Sequence, residues 1–437
     1  STQAKTLFPY TTLFRSKKIV ILSRTNYEYG AVVFGTMMAG AVIVTLNQGK
    51  TWAELEYELG MVEPDLIFND GIDYGYRAQL EALYGARLRP MDVWTAAPEA
   101  EMVNRIDHEG LLMLMFTSGT TGRSKGVMLS QKNLFSAMPA FLDPFDDVKK
   151  YTGWNTDEFS SLSALPMFHI SAMTSLVSWS ITGHSINLCN NLKYFYRDLG
   201  AMHSEVMAVV PVLLKSIYSD VMKGRRDRLN GLCVLTCGAA MFDPKILSDM
   251  MEKGFFVAQM YGLTETCGDG AWNSSQEAKY LTSVGHVDLS CEYKLDDGEL
   301  CMRGNPIMLG YYKDPEGTAE VIDADGWFHT GDIARVEEDG YMYLTGRKKN
   351  VIILDSGENV SPEELEKLLV PCADIQECIV KEKDKKICAL IYCDPAKQDA
   401  VKEFVTGVNR GLPLYKRMVT EFSAQPLPRN AMGKLLR

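Results

Sequence analysis

The stretch TSGTTGRSKG, Thr117 to Gly126, decides how this 437-residue chain reads. It follows LLMLMF, Leu111 to Phe116, an uncharged apolar run that reads as a buried strand. Three glycines, two serines, three threonines and one lysine share a single turn. Glycine lets backbone N–H groups come close to a ligand. The hydroxyls donate hydrogen bonds, and Lys125 adds a mobile point charge. This is chemistry for holding a polyphosphate. A Walker loop needs glycine directly before its lysine. Here Ser124 stands in that place and Gly126 follows. A solvated Ser/Gly loop is the plain alternative, and the specific order of residues weighs against it.

Outward from this loop, further short motifs follow in a set order. LPMFH ends at His169, and YGLTE spans Tyr261 to Glu265. GEL covers Gly298 to Leu300, GYY covers Gly310 to Tyr312, and GWFHTGD ends at Asp332. GRKKN begins at Gly346, GENVSPEELE begins at Gly357, and PRNAMGK ends at Lys434. Taken together they resemble the AMP-forming adenylating enzymes, the superfamily of acyl-CoA synthetases, adenylation domains and firefly luciferase. The resemblance runs from near Lys17 to the C-terminus. Within it, GRKKNVIILDSGENVSPEELE is most similar to bacterial long- and medium-chain fatty acyl-CoA ligases.

The alternation of elements points to an α/β fold. KIVILS from Lys18, a helical stretch from Tyr27 and AVIVTL to Leu46 open the pattern. Thr51-Trp52-Ala53-Glu54 is a capping box ahead of another helix. DLIFND, VMAVVP, LCVLT and FFVAQMYG continue the series, which predicts mainly parallel strands. After Glu265 short β-like pieces separated by glycine turns predict a small β subdomain. From Lys349 a small α+β unit follows, its helix opening at Ser361-Pro362-Glu363-Glu364. The expected architecture is a large multi-layer body over residues 17–348 and a small mobile C-terminal domain over 349–437. Residues 1–16, where TLFPYTTLF nearly repeats itself, read as an artefact or a disordered lead. The body reads as shortened at its start relative to the family.

Composition narrows the partners. A formal charge of −11 argues against a nucleic-acid surface. The ten cysteines have no paired metal spacing, and Cys233 and Cys237 read as core thiols. With no secretory signal, this points to a reducing cytoplasm. The uncharged run Gly30 to Gly49 approaches the length of a membrane span, but its glycines and its polar end favour a buried helix followed by a strand. Peripheral membrane contact stays open, and the oligomeric state is not set by sequence.

The resemblance implies a set of roles. Thr117, Ser118, Gly119, Thr120, Thr121 and Lys125 would hold the β- and γ-phosphates of ATP. Thr264 would contact the α-phosphate, and Glu265 would ligate Mg2+, a hard cation suited to carboxylate oxygen. Tyr261 would stack on adenine, with Gly238, Ala239 and Ala240 lining the base pocket. Asp332 would bind the ribose hydroxyls beside Arg347. His169 would border the acyl site. Lys434 would stabilise the adenylation transition state. Lys349 would be the pivot of a domain rotation that admits CoA past Gly357. The implied activity is an AMP-forming acyl-CoA synthetase acting on a small-molecule carboxylate, expected to be a medium- or long-chain fatty acid. Val206 to Leu214 carries no acidic residue, which argues against an amino-acid substrate. An aryl- or other acyl-adenylating ligase serving a carrier protein is the second reading, and an inactive nucleotide-binding remnant the third.

Overall fold

The computed structural model describes residues 17–92, 107–117, 124–142, 144–152, 158–238, 242–287, 290–354, 359–383, 385–429 and 435. The segment 1–16, expected to be an artefact, lies outside them. Contacts group the chain into two compact units, 1–293 with 302–328, and 294–301 with 329–437.

The first unit is built on two seven-stranded sheets. In the first, Leu111–Thr117, Val42–Thr45, Lys18–Leu22, Leu66–Asn69 and Leu88–Pro90 lie side by side in that order. All five run parallel. Lys125–Ser130 then adds antiparallel to Leu111–Thr117, and Gly310–Tyr311 antiparallel to it. In the second sheet, Phe256–Gly262, Val234–Cys237, Val206–Val209, Ser160–Ser163 and Ser185–Leu188 are parallel. Gly270–Asn273 and His286–Val287 extend it antiparallel.

Most of the central parallel strands are apolar on both faces, as expected where helices pack on both. Val20, Val44 and Leu114 pack with Leu55 and Leu59 of the helix Trp52–Val62 in one such core. Met207 and Leu235 pack with Leu214 and Ile217 of the helix Pro211–Met222 in another. Local signals set the helix starts. The Thr51 N–H donates to the Glu54 carboxylate at 2.9 Å, and the helix opens one residue later. The uncharged run at 30–49 divides into the end of the helix Tyr27–Met38 and the strand Val42–Thr45. Among the described residues no helix is long and apolar enough to cross a membrane.

A four-stranded sheet takes the strands Cys291–Asp296, Glu299–Gly304, Phe328–Val336 and Met342–Arg347 in order. The second unit holds the three-stranded sheet Ile375–Lys383, Lys386–Cys393 and Val419–Phe422. Val401 and Val405 of the helix Gln398–Arg410 pack into its core with Val380, Ala389 and Ile391. The helix Pro362–Lys367 starts as expected, with Ser361 as its cap and proline at its first turn. The boundary expected at 348/349 lies inside this unit, which also takes in 294–301 and 329–348. Mixed α/β architecture with mainly parallel sheets and a smaller α+β part is therefore the observed fold class.

Candidate active site

Thr117 ends one strand and Lys125 begins the next, and the two stand opposite each other across the antiparallel pair. Ser118, Gly119, Thr120 and Thr121 lie outside the described residues, as do Ala239, Ala240, Gly357 and Lys434. Lys125 Nζ lies 4.5 Å from the Tyr311 ring centroid and 3.8 Å from Asp314 Oδ2. At Gly126, next to Lys125, an added Cβ would sit 3.1 Å from Leu114 Cδ1, a tight contact with a movable side chain.

Tyr261 lies near the end of the strand Phe256–Gly262 and is buried. Its neighbours are glycines for steric reasons. A Cβ at Gly262 would come within 2.2 Å of the Gly268 carbonyl, and one at Gly270 within 3.0 Å of the Tyr261 ring. Gly238 follows the adjacent parallel strand, and a Cβ there would meet the Met260 carbonyl at 3.6 Å. After Gly262 the chain enters the short 3-10 turn Thr264–Thr266. The Leu263 N–H donates to Thr266 Oγ1 at 3.0 Å, which holds the turn closed. This presents Thr264 and Glu265 together at the strand's carboxyl end. The Glu265 carboxylate accepts a hydrogen bond from the Tyr311 hydroxyl at 3.0 Å.

His169 caps the helix Ile170–Ile181 beside Phe168. Burial pulls its pKa down to about 4, so the imidazole is neutral near pH 7. The Met167 N–H donates to Thr25 Oγ1 at 3.3 Å, tying this motif to the end of the strand Lys18–Leu22.

Asp332 and Arg347 lie in the second unit on neighbouring antiparallel strands, and they form an ion pair. The turn ahead of Asp332 is held by Glu299, whose Oε1 accepts from the Gly331 N–H at 3.0 Å. Glu299 Oε2 lies 3.2 Å from His329 Nδ1 and accepts from Lys348 Nζ at 2.7 Å. Burial raises the Glu299 carboxyl, but the Lys348, His329 and Gly331 hydrogen bonds outweigh it and hold it below its usual range. Asp296, Cys301 and His329 bring potential ligand atoms within 4.8 Å of one another in the same neighbourhood. The Lys348 ammonium already brings positive charge to this cluster. Lys349 sits in the one-turn helix Lys348–Asn350, directly after the strand Met342–Arg347. Burial and the nearby Arg347 lower its pKa from the usual lysine range.

Within the first unit, then, the fold brings Thr117 opposite Lys125, links Lys125 to Glu265 through Tyr311, and sets Tyr261 and Gly238 at adjacent strand ends. Within the second it joins Asp332 to Arg347. Two contributors escape sequence reasoning. Tyr311 stands out in the sequence only as part of GYY, and that motif is the signal available. Lys50 forms an ion pair with the fully buried Glu58 and reaches Ser124 Oγ at 3.3 Å, beside Lys125. Nothing local to Lys50 announces that contact.

Residues 12–312 match the AMP-binding enzyme family, and the chain belongs to it. It is an enzyme of a family whose similar curated members are CoA ligases. One is the peroxisomal OPC-8:0-CoA ligase 1 of Arabidopsis thaliana, 25% identical over 96% of this chain and 82% of the relative. Another is the 2-succinylbenzoate–CoA ligase of Bacillus licheniformis, 28% identical over 95% of this chain and 87% of the relative. Among solved structures, the o-succinylbenzoate coenzyme A synthetase of Bacillus subtilis in complex with ATP and magnesium ion shares the fold. Its TM-score is 0.78 at 23% identity, covering 98% of this chain and 89% of that one.

Proposed function

We propose that this enzyme is an AMP-forming CoA ligase, joining a carboxylic acid to CoA through an acyl-adenylate. The supporting observation is that the similarity to relatives named CoA ligases runs over 95–96% of the chain, through both compact units.

In the first half-reaction the carboxylate attacks the α-phosphate of ATP and pyrophosphate leaves. Two anions must meet in line, so the site has to supply positive charge and alignment. Thr117 to Thr121 and Lys125 would bind the β- and γ-phosphates. Thr264 would hydrogen-bond the α-phosphate as it becomes pentacoordinate. Tyr261, Gly238, Ala239 and Ala240 would seat adenine, and Asp332 the ribose. Glu265 offers a hard oxygen donor in a closed turn, which fits a Mg2+ ligand. When bound, Mg2+ neutralises phosphate charge. Lys434 would reach the reacting oxygens from the C-terminal domain. In the second half-reaction the CoA thiol attacks the adenylate carbonyl and AMP leaves, after rotation at Lys349 withdraws Lys434 and brings up Gly357.

The substrate is proposed as an apolar carboxylate. The fatty acid expected from sequence is one candidate; one named relative instead acts on 2-succinylbenzoate, an aryl acid with a second carboxylate, so polar aryl acids belong in the substrate panel as well. A cytoplasmic, reducing setting is part of the same proposal. It is supported by the cysteines standing as free thiols, several of them buried, although one relative is peroxisomal.

A carboxylate panel tests the reading. Pyrophosphate release with ATP and fatty or aryl acids, followed by a CoA-dependent thioester, is the expected result. A thioester on a carrier protein but not on CoA would favour the acyl-carrier reading. ATP binding without pyrophosphate release from any acid would leave a nucleotide-binding remnant.

A further inference from the structure

Five consecutive residues, Met308 to Tyr312, grip both the phosphate-loop lysine and the carboxylate turn. The Leu309 N–H donates to the Met128 carbonyl at 2.9 Å and the Tyr312 N–H to the Gly126 carbonyl at 2.7 Å. That register sets Tyr311 opposite Val127, next to the strand end that carries Lys125. The Lys125 ammonium lies over the Tyr311 ring, 4.5 Å from its centroid. From the same residue the hydroxyl donates to Glu265 Oε1 at 3.0 Å, while the Met308 N–H donates to the Glu265 carbonyl at 2.8 Å. Side chain and backbone of one short strand therefore fix both partners.

The arrangement is sterically specific. Gly310 has φ +129, and a Cβ there would lie 2.7 Å from Thr318 Cγ2. Thr318 Oγ1 accepts from the Tyr311 N–H at 2.8 Å, so the backbone that aims the ring is itself held. Tyr311 is 8% exposed.

We propose that Tyr311 is a positioning residue for adenylation. Its hydroxyl orients the Glu265 carboxylate for Mg2+, and its ring seats the Lys125 ammonium for the phosphates. The inference rests on the roles proposed above for Glu265 and Lys125. It adds that these two groups are set by one side chain. Removing the hydroxyl therefore disturbs the metal-dependent part of ATP binding alone, and removing the ring disturbs the metal-independent part as well.

The test is calorimetric ATP affinity with and without Mg2+, together with the thermal midpoint, for the full chain and for Tyr311→Phe, Tyr311→Leu and Glu265→Gln. Tyr311→Phe is expected to keep its midpoint and its Mg2+-free affinity. Its enhancement of ATP binding by Mg2+ should fall about tenfold, as for the loss of one hydrogen bond to a charged group. Tyr311→Leu should in addition lose roughly three- to tenfold of the Mg2+-free affinity, the scale of one cation–π contact. Wild-type Mg2+ enhancement in Tyr311→Phe, with Glu265→Gln impaired, overturns the proposal and leaves the Glu265 assignment standing. Equal losses with and without Mg2+ in Tyr311→Phe overturn it too, because the hydroxyl then serves only packing. Full Mg2+ enhancement in Glu265→Gln instead removes the Glu265 assignment on which the proposal rests.

Discussion

Asp332 and Arg347 face each other directly across two antiparallel strands, with Arg347 Nε 2.6 Å from Asp332 Oδ1. The Asp332 side chain is 7% exposed and that of Arg347 33%. A carboxylate buried to this degree must be paired or hydrogen-bonded to stay charged. Here the guanidinium supplies that pairing, and Thr330 Oγ1 accepts from the Asp332 N–H at 3.1 Å. A carboxylate prepared in this way can accept two hydroxyl hydrogen bonds with little reorganisation.

Asp332→Ala is therefore expected to weaken ATP binding by about ten- to a hundredfold for each ribose hydrogen bond lost, since each charge-assisted hydrogen bond is worth about 1.5–3 kcal/mol. The change also strands Arg347, so the double variant with Arg347→Ala should recover part of any lost stability while leaving ATP binding weak. Calorimetry and urea titration read the two effects separately. Wild-type affinity in a folded Asp332→Ala variant would sink the ribose assignment.

Lys349→Pro is expected to separate the half-reactions. The residue lies in a single 3-10 turn between a strand and the C-terminal elements, where the proposed rotation would have to be absorbed by few backbone angles. Proline restricts its own φ and its predecessor's conformation. Adenylate should still form from ATP and acid, and its conversion with CoA should slow. Lys434→Ala is expected to show the reverse, losing adenylation by about a hundred- to a thousandfold while using supplied adenylate normally. Rapid-quench assays of each half-reaction decide. Equal losses in both steps for Lys349→Pro would contradict a hinge there.

His169 gives stability a pH dependence whose sign can be stated. Its folded pKa is about 4 against an ordinary 6.5, because burial disfavours the imidazolium. Below 6.5 the unfolded chain takes up a proton that the native chain refuses, so stability falls from there down to about 4 and is unaffected above. His169→Gln removes this slope. The stability difference between pH 7 and pH 4.5 should shrink by about 2 kcal/mol, since a proton bound by only one of the two states contributes roughly 1.4 kcal/mol per pH unit. Urea unfolding at the two pH values measures it, and an undiminished difference would mean that His169 is solvated.

Glu299→Gln keeps an acceptor but loses the charge that holds Lys348 and His329. Because the native carboxyl is held below its ordinary 4.5, its contribution is present above that value and is lost as pH falls through the lower native pKa. The substitution should cost about 1–3 kcal/mol at pH 7 and progressively less toward pH 3. A penalty that does not change with pH would show that packing, not charge, is what Glu299 contributes.

Signals confined to a few neighbouring residues could be read without coordinates. The Thr51–Glu54 box, the Ser361–Pro362 helix start and the strand before Thr117 each depend on side chains within about four positions, and each appears where the sequence places it. The ordered motifs likewise pointed to an adenylating enzyme, and residues 12–312 match the AMP-binding family. Other features depend on register between distant strands. Tyr311 meets Lys125 and Glu265 because residues 309–312 pair with 126–128 and residue 308 bonds back to 265. Lys50 reaches Glu58 and Ser124 only after helix and sheet have packed. The same holds for residues 294–301, which group with 329–437 because Glu299 and Leu300 bond to Gly331 and Thr330. Local propensity is written in short windows. The choice of partner across a sheet is settled by burial and hydrogen-bond satisfaction summed over the whole fold, which no short window contains.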